Sequence, residues 1–242
     1  MDIKEQLIEG ARNLNVQLTD QQVEQLIQYK EILVEWNEKM NLTAITEDFE
    51  VITKHFLDCL TVQSSIDLTK VETLVDVGTG AGFPGLVLKI AFPNVKITLI
   101  DSLNKRLKFL QHVIDTLGLQ NIECVHGRAE DLGKNKLYRE KFEVCASRAV
   151  ANLAVLSEYT LPFVKKGGYL IALKGQKLDE ELVEGEKAIK ILGGEIDQIF
   201  DVVVPYTDLN HRIAKIKKVK ETPRKFPRKA GEPTKAPLGQ IQ

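Results

Sequence analysis

The sequence predicts an α/β protein in which a doubly wound, mostly parallel sheet carries a helical cap at its N-terminus. From Val71 onward, short apolar segments alternate with helical ones, and this alternation is typical of parallel strands joined by helices. Before that point, apolar residues recur only at helical spacing. A glycine-rich loop, VDVGTGAGFPG at residues 75–85, follows the first strand-like segment. The 242 residues are enough for one sizeable core and a small appendage.

The first 65 residues are predicted to form the cap. Apolar residues recur at helical spacing over residues 3–14 and again over residues 26–40. Thr19 and Gln22 form a capping-box pattern at the start of the second helix. A short third helix is predicted within residues 48–60. We interpret the apolar faces of these helices as packing surfaces.

Residues 66–219 are predicted to hold the sheet. Strands are indicated by TLVDV, KITLID, IECVHG, FEVCASR and GYLIALK. Helices are predicted between them at residues 103–117, 149–164 and 178–192. Two further strands, DQIFDVVVPY and HRIAKIKKVK, end the unit as a hairpin-like pair. Residues 220–242 contain four prolines and many lysines, and we expect this tail to become ordered on contact with a partner.

The net charge of −1 conceals a gradient along the chain. Residues 1–60 carry twelve acids and five basic residues, whereas residues 211–235 carry ten basic residues and two acids. A basic segment on a nearly neutral protein indicates a polyanionic partner. A solvated charged tail without a partner is the alternative interpretation.

Membrane, export and metal functions are not indicated. No uncharged apolar run approaches the roughly 18 residues of a membrane span. The acidic start MDIKEQLIEG is unlike a signal peptide. We therefore expect a cytoplasmic protein with no membrane partner. Cys59, Cys124 and Cys145 lack metal-binding or disulfide spacing and are interpreted as buried apolar residues.

The glycine loop and the end of the second strand together predict a nucleoside site. Glycine has no β-carbon, so Gly78 and Gly80 allow a tight turn and close approach of a ligand to the backbone. Asp101 follows the loop at the usual distance for a carboxylate that accepts hydrogen bonds from ribose hydroxyls.

The details of the loop favour S-adenosylmethionine as the nucleoside. The glycine spacing is GxGxG, and Phe83-Pro84 opens the next helix with a residue that lacks a backbone donor for phosphate. A nicotinamide or flavin nucleotide is the first alternative. A glycine turn with only a structural role is the second.

Two later loops are predicted to reach the same site. Ala129 and Glu130 follow the third strand and are placed to contact an adenine edge, although acids also favour helix N-termini for electrostatic reasons. Arg148 follows the fourth strand and is expected to orient a methionine carboxylate or a guanine O6. An ion pair with a nearby acid is its alternative role. His55 and Asp58 are interpreted either as a satisfied pair or as groups that face the substrate.

The loop after the fourth strand also bears on the acceptor. It reads Ser147-Arg148-Ala149-Val150, without the Asn/Asp-Pro-Pro-aromatic motif common in methylation of base amines, and none of the three cysteines follows a proline. An acceptor with a free lone pair needs neither feature. Guanine N7 is such an acceptor. We therefore expect no general base or other catalytic side chain, and no metal.

Several segments together resemble the bacterial RsmG (glucose-inhibited division protein B) family of 16S rRNA methyltransferases. They are WNEKMNLTAI, KHFLDCL, VDVGTGAGFPG, SRAVANL and FPRKAGEPTKAPL, and the resemblance covers nearly the whole chain. It implies the methyltransferase type of α/β sheet and transfer of a methyl group from S-adenosylmethionine to N7 of one guanine near the decoding region. It also implies that the cofactor is held by Gly78, Phe83, Ala129, Glu130 and Arg148. Cys59 is one small departure, since serine is usual there in the family.

The resemblance also supports RNA as the polyanionic partner. The partner is then 16S rRNA or the small ribosomal subunit, and the protein is expected to act as a monomer. The expected phosphate contacts are Arg212, Lys215, Lys217, Lys218, Arg224, Lys225, Arg228 and Lys229. The alternatives are a methyltransferase for a protein or small molecule, a nicotinamide oxidoreductase, and a ribosome-assembly protein without catalysis.

Overall fold

A computed structural model describes residues 2–148 and 150–240. The α-helices are α1 (Ile3–Asn13), α2 (Asp20–Met40), α3 (Asp48–Val51), α4 (Asp58–Leu60), α5 (Gly85–Ala91), α6 (Asn104–Leu117), α7 (Ala129–Leu132), α8 (Leu153–Thr160), α9 (Leu178–Ile191) and α10 (Glu232–Lys235). A π-helix spans Ile52–Leu57, and short 3₁₀ helices span Thr61–Ser64, Leu68–Lys70 and Leu161–Phe163. The strands are β1 (Thr73–Val77), β2 (Lys96–Asp101), β3 (Ile122–His126), β4 (Phe142–Arg148), β5 (Val164–Lys174), β6 (Gly194–Val203) and β7 (Asn210–Lys218).

The seven strands form one sheet in the order β3-β2-β1-β4-β5-β7-β6. Strands β1 to β5 run parallel, whereas β7 lies antiparallel to both β5 and β6. The chain order reverses between β1 and β4, so the carboxyl ends of these strands flank the crevice where ligands bind in such sheets. The predicted doubly wound, mostly parallel α/β fold is confirmed.

The two faces of the sheet are covered differently. Helices of the cap pack with α5 and α6 on one face, where Leu26, Leu57 and Phe109 belong to a single apolar cluster. Helices α8 and α9 cover the other face together with Phe226 from the tail. The cap therefore shares its core with the sheet.

The elements around the fourth and fifth strands differ from their predicted bounds. The helix predicted from Ala149 begins at Leu153 in the structure, capped by the side chain of Asn152, and Ala149 itself lies outside the described residues. Strand β5 begins at Val164, earlier than predicted. The difference arises because a 3₁₀ turn containing Pro162 ends the helix before the strand.

The described residues of the tail pack against the domain. Phe226 is buried, and the guanidinium of Arg139 donates hydrogen bonds to the carbonyls of Thr222 and Phe226. Further along, the backbone N–H of Gly231 donates to Glu130 at 3.2 Å. The contacts of these tail residues are thus made with the domain itself. The tail runs back over the domain toward the carboxyl edge of the sheet.

No helix in residues 2–148 and 150–240 has the length and hydropathy that a membrane crossing requires.

Candidate functional site

A cavity of about 550 Å³ lies at the carboxyl ends of β1, β2 and β4. Its size is in the range of small-molecule and cofactor sites. All the predicted cofactor residues line it: Gly78, Gly80, Phe83, Asp101, Ala129, Glu130 and Arg148. The structure thus brings together residues that lie up to 70 positions apart in the sequence.

The glycine loop has the backbone geometry that the sequence predicts. Gly78, Gly80 and Gly82 have φ angles of 74°, 60° and 98°, a region that side chains disfavour. A β-carbon at Gly80 would meet only the carbonyl oxygen of Gly78, at 4.0 Å, so this side of the loop is open. At Gly82, a β-carbon would lie 2.7 Å from the hydroxyl of Tyr29. Gly80 therefore leaves room for a ligand, and Gly82 leaves room for Tyr29 of the cap.

Tyr29 is a supporting residue that sequence reasoning placed only in an apolar stripe. Its hydroxyl donates a hydrogen bond to the carbonyl of Ala81 in the loop, and its ring is buried against Phe56 and Phe83. Helix α2 therefore helps to hold the loop in shape. No sequence signal separates this tyrosine from an ordinary core aromatic residue.

Asp76 supports the glycine loop through two hydrogen bonds. One of its carboxylate oxygens accepts from the hydroxyl of Thr79 at 2.7 Å and from the N–H of Gly85 at 2.8 Å. The other oxygen is buried and has no protein partner in the described part of the chain. Burial raises the pKa of Asp76 to about 6, although both hydrogen bonds oppose the rise.

Asp101 lies at the end of β2 and faces the cavity. One oxygen accepts from the N–H of Gly80 at 3.0 Å, and the other accepts from the N–H of Leu103 at 2.8 Å. The oxygen that accepts from Gly80 also accepts from the guanidinium of Arg106 at 3.4 Å, whereas the oxygen that accepts from Leu103 can take a second hydrogen bond. The carboxylate is thus fixed by backbone and can still accept from a ligand.

Arg148 sits in a cluster of polar groups between the sheet and the cap. It donates to Asp58 at 2.8 Å and to a ring nitrogen of His55 at 3.2 Å. Its guanidinium lies 4.8 Å from the centre of the Phe83 ring, on which His55 also stacks. The ion pair that was the alternative role for Arg148 is therefore present, and it holds this side chain at the cavity wall.

His55 and Asp58 do not bind each other. His55 contacts the hydroxyl of Thr43 at 2.8 Å, whereas Asp58 accepts from His211 at 2.6 Å as well as from Arg148. A second residue that the sequence analysis missed is His211. Its pairing with a residue 153 positions away depends on where β7 enters the sheet.

Burial and neighbouring charges set the protonation states of this cluster. Burial and the guanidinium of Arg148 lower the pKa of His55 to about 4, so this imidazole is neutral. Burial alone would raise the pKa of Asp58, but the hydrogen bond from His211 and the charge of Arg148 outweigh it and lower that pKa. The hydrogen bond to Asp58 raises the pKa of His211.

The wide turn of the π-helix contributes to this arrangement. It spans Ile52–Leu57 and carries His55, and Asp58 follows at once. π-helical turns are uncommon in proteins, but those that occur are often found at functional sites. Here one short segment supplies two side chains and a backbone carbonyl, that of Lys54, to the same guanidinium.

A second cavity of about 580 Å³ adjoins the first. His55 and Arg148 line both cavities. The remaining walls of the second cavity come from the cap, the end of β5 with the loop that follows it, and the start of β7. Two adjacent cavities that share a polar boundary provide space for a cofactor and an acceptor.

The structure separates the eight predicted phosphate contacts into two groups. Four are engaged within the protein. Lys218 is fully buried, and Arg228 binds the buried carboxylate of Glu158. Arg212 pairs with Asp179 and Asp201, and Lys215 pairs with Asp197.

For Lys218, the prediction of a phosphate contact is wrong. Its ammonium group donates to the carbonyls of Leu161 and Val164 and pairs with Glu140, so it is not accessible to RNA. Arg228 likewise serves to attach the tail. The other four residues are exposed: Lys217, Arg224, Lys225 and Lys229.

Comparison with known proteins gives a consistent result. A family model described as GidB, rRNA small subunit methyltransferase G, matches residues 22–206. A ribosomal RNA small subunit methyltransferase G from Alkaliphilus oremlandii is 55% identical over 98% of this chain and 100% of its own length. A protein of the same name from Clostridium botulinum (strain ATCC 19397 / Type A) is 50% identical over 95% of this chain and 96% of its own length.

Solved structures resemble the chain in fold alone. One is a chain from the complex of the Haloferax volcanii Trm112 methyltransferase activator with a methyltransferase, with a TM-score of 0.58 and 11% identity. It covers 78% of this chain and 98% of that chain. Another is a mutant of MtNAS in complex with S-adenosylmethionine, with a TM-score of 0.54 and 14% identity over 88% of this chain and 77% of that chain.

Proposed function

The chain belongs to the GidB family of ribosomal RNA small subunit methyltransferases, and we propose that it transfers the methyl group of S-adenosylmethionine to N7 of one guanine in 16S rRNA. The observation that carries the proposal is the convergence of the glycine loop, Asp101 and Arg148 on one cavity. These three features supply a backbone surface, a carboxylate and a cation for a nucleoside with an amino-acid tail.

The residues present fit this cofactor. The open side of Gly80 leaves the space that a ligand needs against the backbone. Asp101 would accept from the ribose hydroxyls, while Ala129 and Glu130 would face the adenine. Arg148 would hold the methionine carboxylate at the opposite end, next to Gly78 and Phe83. When bound, the cofactor supplies an electrophilic methyl group on a sulfonium centre.

The main contribution of the protein to the reaction is then to position the acceptor and the methyl group. Guanine N7 is unprotonated near neutral pH and carries an accessible lone pair, so no side chain has to remove a proton. Holding the acceptor and the methyl group in line can supply a large part of the rate. The ion pair of Arg148 with Asp58 and the stacking of Phe83 on His55 keep the walls rigid around that geometry.

The RNA contacts are proposed for the exposed basic residues. Gly231 binds Glu130 at the cofactor cavity, so Lys229 lies close to the site along the chain. In the sheet, Lys217 on β7 lies opposite Tyr169 on β5, whereas Arg212 lies opposite Lys174 at the carboxyl end of β5. Five residues of strand place Lys217 roughly 17 Å from that edge. We therefore propose Lys229 and Lys225 as stronger contacts than Lys217.

We propose that a monomer is the active form, because the predicted cofactor residues of a single chain already converge on one cavity. A substrate in the small ribosomal subunit supports the proposal of a cytoplasmic activity.

The decisive experiment identifies the methylated nucleoside. The protein is incubated with labelled S-adenosylmethionine and undermethylated small ribosomal subunits, and the RNA is digested to nucleosides. We expect label in 7-methylguanosine. Label in another nucleoside would retain the cofactor and overturn the proposed acceptor. Binding of the cofactor without any label would indicate a protein or small-molecule acceptor.

A further inference from the structure

The second cavity lies where an acceptor base would have to be. His55 and Arg148 separate it from the first cavity, at the end proposed for the methionine part of the cofactor. Ile45, Leu173 and Leu209 provide apolar walls against which a planar base can pack. Its volume of about 580 Å³ is sufficient for a nucleotide.

One side chain in this cavity is held firmly at one nitrogen and has no partner at the other. Nδ1–H of His211 donates to Asp58 at 2.6 Å, and Asp58 is only 3% exposed. In the described part of the chain, Nε2 of His211 has no hydrogen-bond partner, and the ring is 28% exposed in the cavity wall. The carboxylate therefore orients the imidazole and leaves Nε2 free for a ligand.

We propose that the second cavity receives the acceptor guanine and that Nε2 of His211 donates a hydrogen bond to its O6. This inference rests on the proposed function. In guanine, O6 lies beside N7 on the same edge, and both are acceptors. Adenine presents an amino group in place of O6, so a donor at this point favours guanine.

The charges of the cluster suit this role. Asp58 stabilises the protonated imidazole of His211, in which both ring nitrogens are donors. Lys177 is exposed at the rim of the cavity and is suited to contact a flanking phosphate.

The test compares two substitutions of the same residue. In His211→Asn, the amide can still donate to Asp58, but nothing replaces Nε2. In His211→Ala, both contacts are lost. We expect both variants to lower kcat/KM for undermethylated small subunits by roughly 10- to 100-fold, with the Kd for S-adenosylmethionine unchanged within about twofold. His112→Asn is the matched control, since His112 is exposed on α6 and its ring lies against Trp36 outside both cavities.

A second measurement tests the contact with the unaltered protein. Small subunits are reconstituted with 2-aminopurine at the target position, which removes O6 and keeps N7. Wild-type kcat/KM should fall by a similar factor, and His211→Asn should show no further loss on this substrate. Additive losses would overturn the contact between His211 and O6.

The outcomes separate the two levels of the argument. If wild-type protein yields 7-methylguanosine and His211→Asn retains full activity, His211 only positions Asp58 and Arg148, and the inference is wrong. If wild-type protein labels a different nucleoside, the proposed function fails and this inference fails with it.

Discussion

At the scale of single residues, the two clearest tests concern a glycine and a histidine. Gly80 and Gly118 have nearly the same backbone conformation, with φ angles of 60° and 64°. An added β-carbon would meet nothing within 4 Å at Gly118 and only the carbonyl oxygen of Gly78, at 4.0 Å, at Gly80, but only Gly80 lines the cofactor cavity. The two positions thus separate backbone strain from ligand contact.

We expect Gly80→Ala and Gly118→Ala each to cost about 1 kcal/mol of stability, because alanine is strained at positive φ. Only Gly80→Ala should weaken binding of S-adenosylmethionine, by at least about tenfold, because its methyl group occupies the open side of the loop. Urea unfolding and calorimetry measure the two effects. Equal cofactor affinity in both variants would show that the ligand does not approach the loop at Gly80.

The neutral state of His55 predicts how stability depends on pH. The pKa of His55 is about 4 in the folded protein and 6.5 when the residue is free of its surroundings. Below about pH 6.5 the unfolded chain therefore binds a proton at this residue while the folded chain does not. This contribution makes stability fall as the pH falls from 6.5 toward 4.

Between pH 7.5 and pH 5, His55 should account for about 2 kcal/mol of lost stability. His55→Gln cannot titrate, so the variant should lose about 2 kcal/mol less than wild type over the same range. Urea unfolding at the two pH values provides the comparison. Equal losses in the two proteins would contradict a buried, neutral His55.

At the scale of elements, the tail shows how charge on a segment can mislead. Its basic residues look alike in the sequence, but the side chain of Arg228 donates three hydrogen bonds, at 2.6, 3.0 and 3.1 Å, to Glu158 on α8. The side chain of Glu158 is completely buried. Lys229, the next residue, is exposed. One residue attaches the tail, and its neighbour remains available to a partner.

Arg228→Ala should destabilise the protein by about 3 kcal/mol, because it leaves the buried carboxylate of Glu158 without its cation. Lys229→Ala should change stability by less than about 0.5 kcal/mol. RNA binding should respond differently. Lys229→Ala should reduce the slope of the logarithm of the RNA association constant against the logarithm of salt concentration by nearly one. Urea unfolding and filter binding at several salt concentrations test these expectations. A stable Arg228→Ala variant would contradict the anchoring role.

At the scale of the whole molecule, the cap and the sheet behave as parts of one core. Leu26 and Leu57 from the cap belong to the same apolar cluster as Phe109 on α6. Tyr29 ties the cap to the glycine loop through the carbonyl of Ala81. The predicted boundary at residue 65 therefore marks a change in sequence pattern without a matching gap in packing.

We expect a protein that lacks residues 2–65 to lose its cooperative unfolding transition and to expose apolar surface. The physical reason is that the deletion removes one wall of the larger apolar cluster. Circular dichroism during heating and binding of a hydrophobic dye are suitable measurements. A truncated protein that unfolds cooperatively would show that the cap is an independent unit.

The position of β7 has a similar consequence for truncation at the other end. This strand lies between β5 and β6 in the sheet. Removal of residues 211–242 would therefore disrupt the fold, and loss of activity after this deletion would not distinguish an RNA substrate from a small one. Point substitutions of exposed residues such as Lys229 are the better test.

The sequence alone was sufficient for the alternation of strands and helices, the glycine loop and Asp101, because these depend on local periodicity and on backbone freedom. Only the tertiary structure could show that Tyr29 supports the loop, that Asp58 joins Arg148 to His211, and that Lys218 is buried. Each of these pairings joins residues that are distant in the chain. They depend on how the cap, β7 and the tail pack, and local sequence patterns carry no information about such distances.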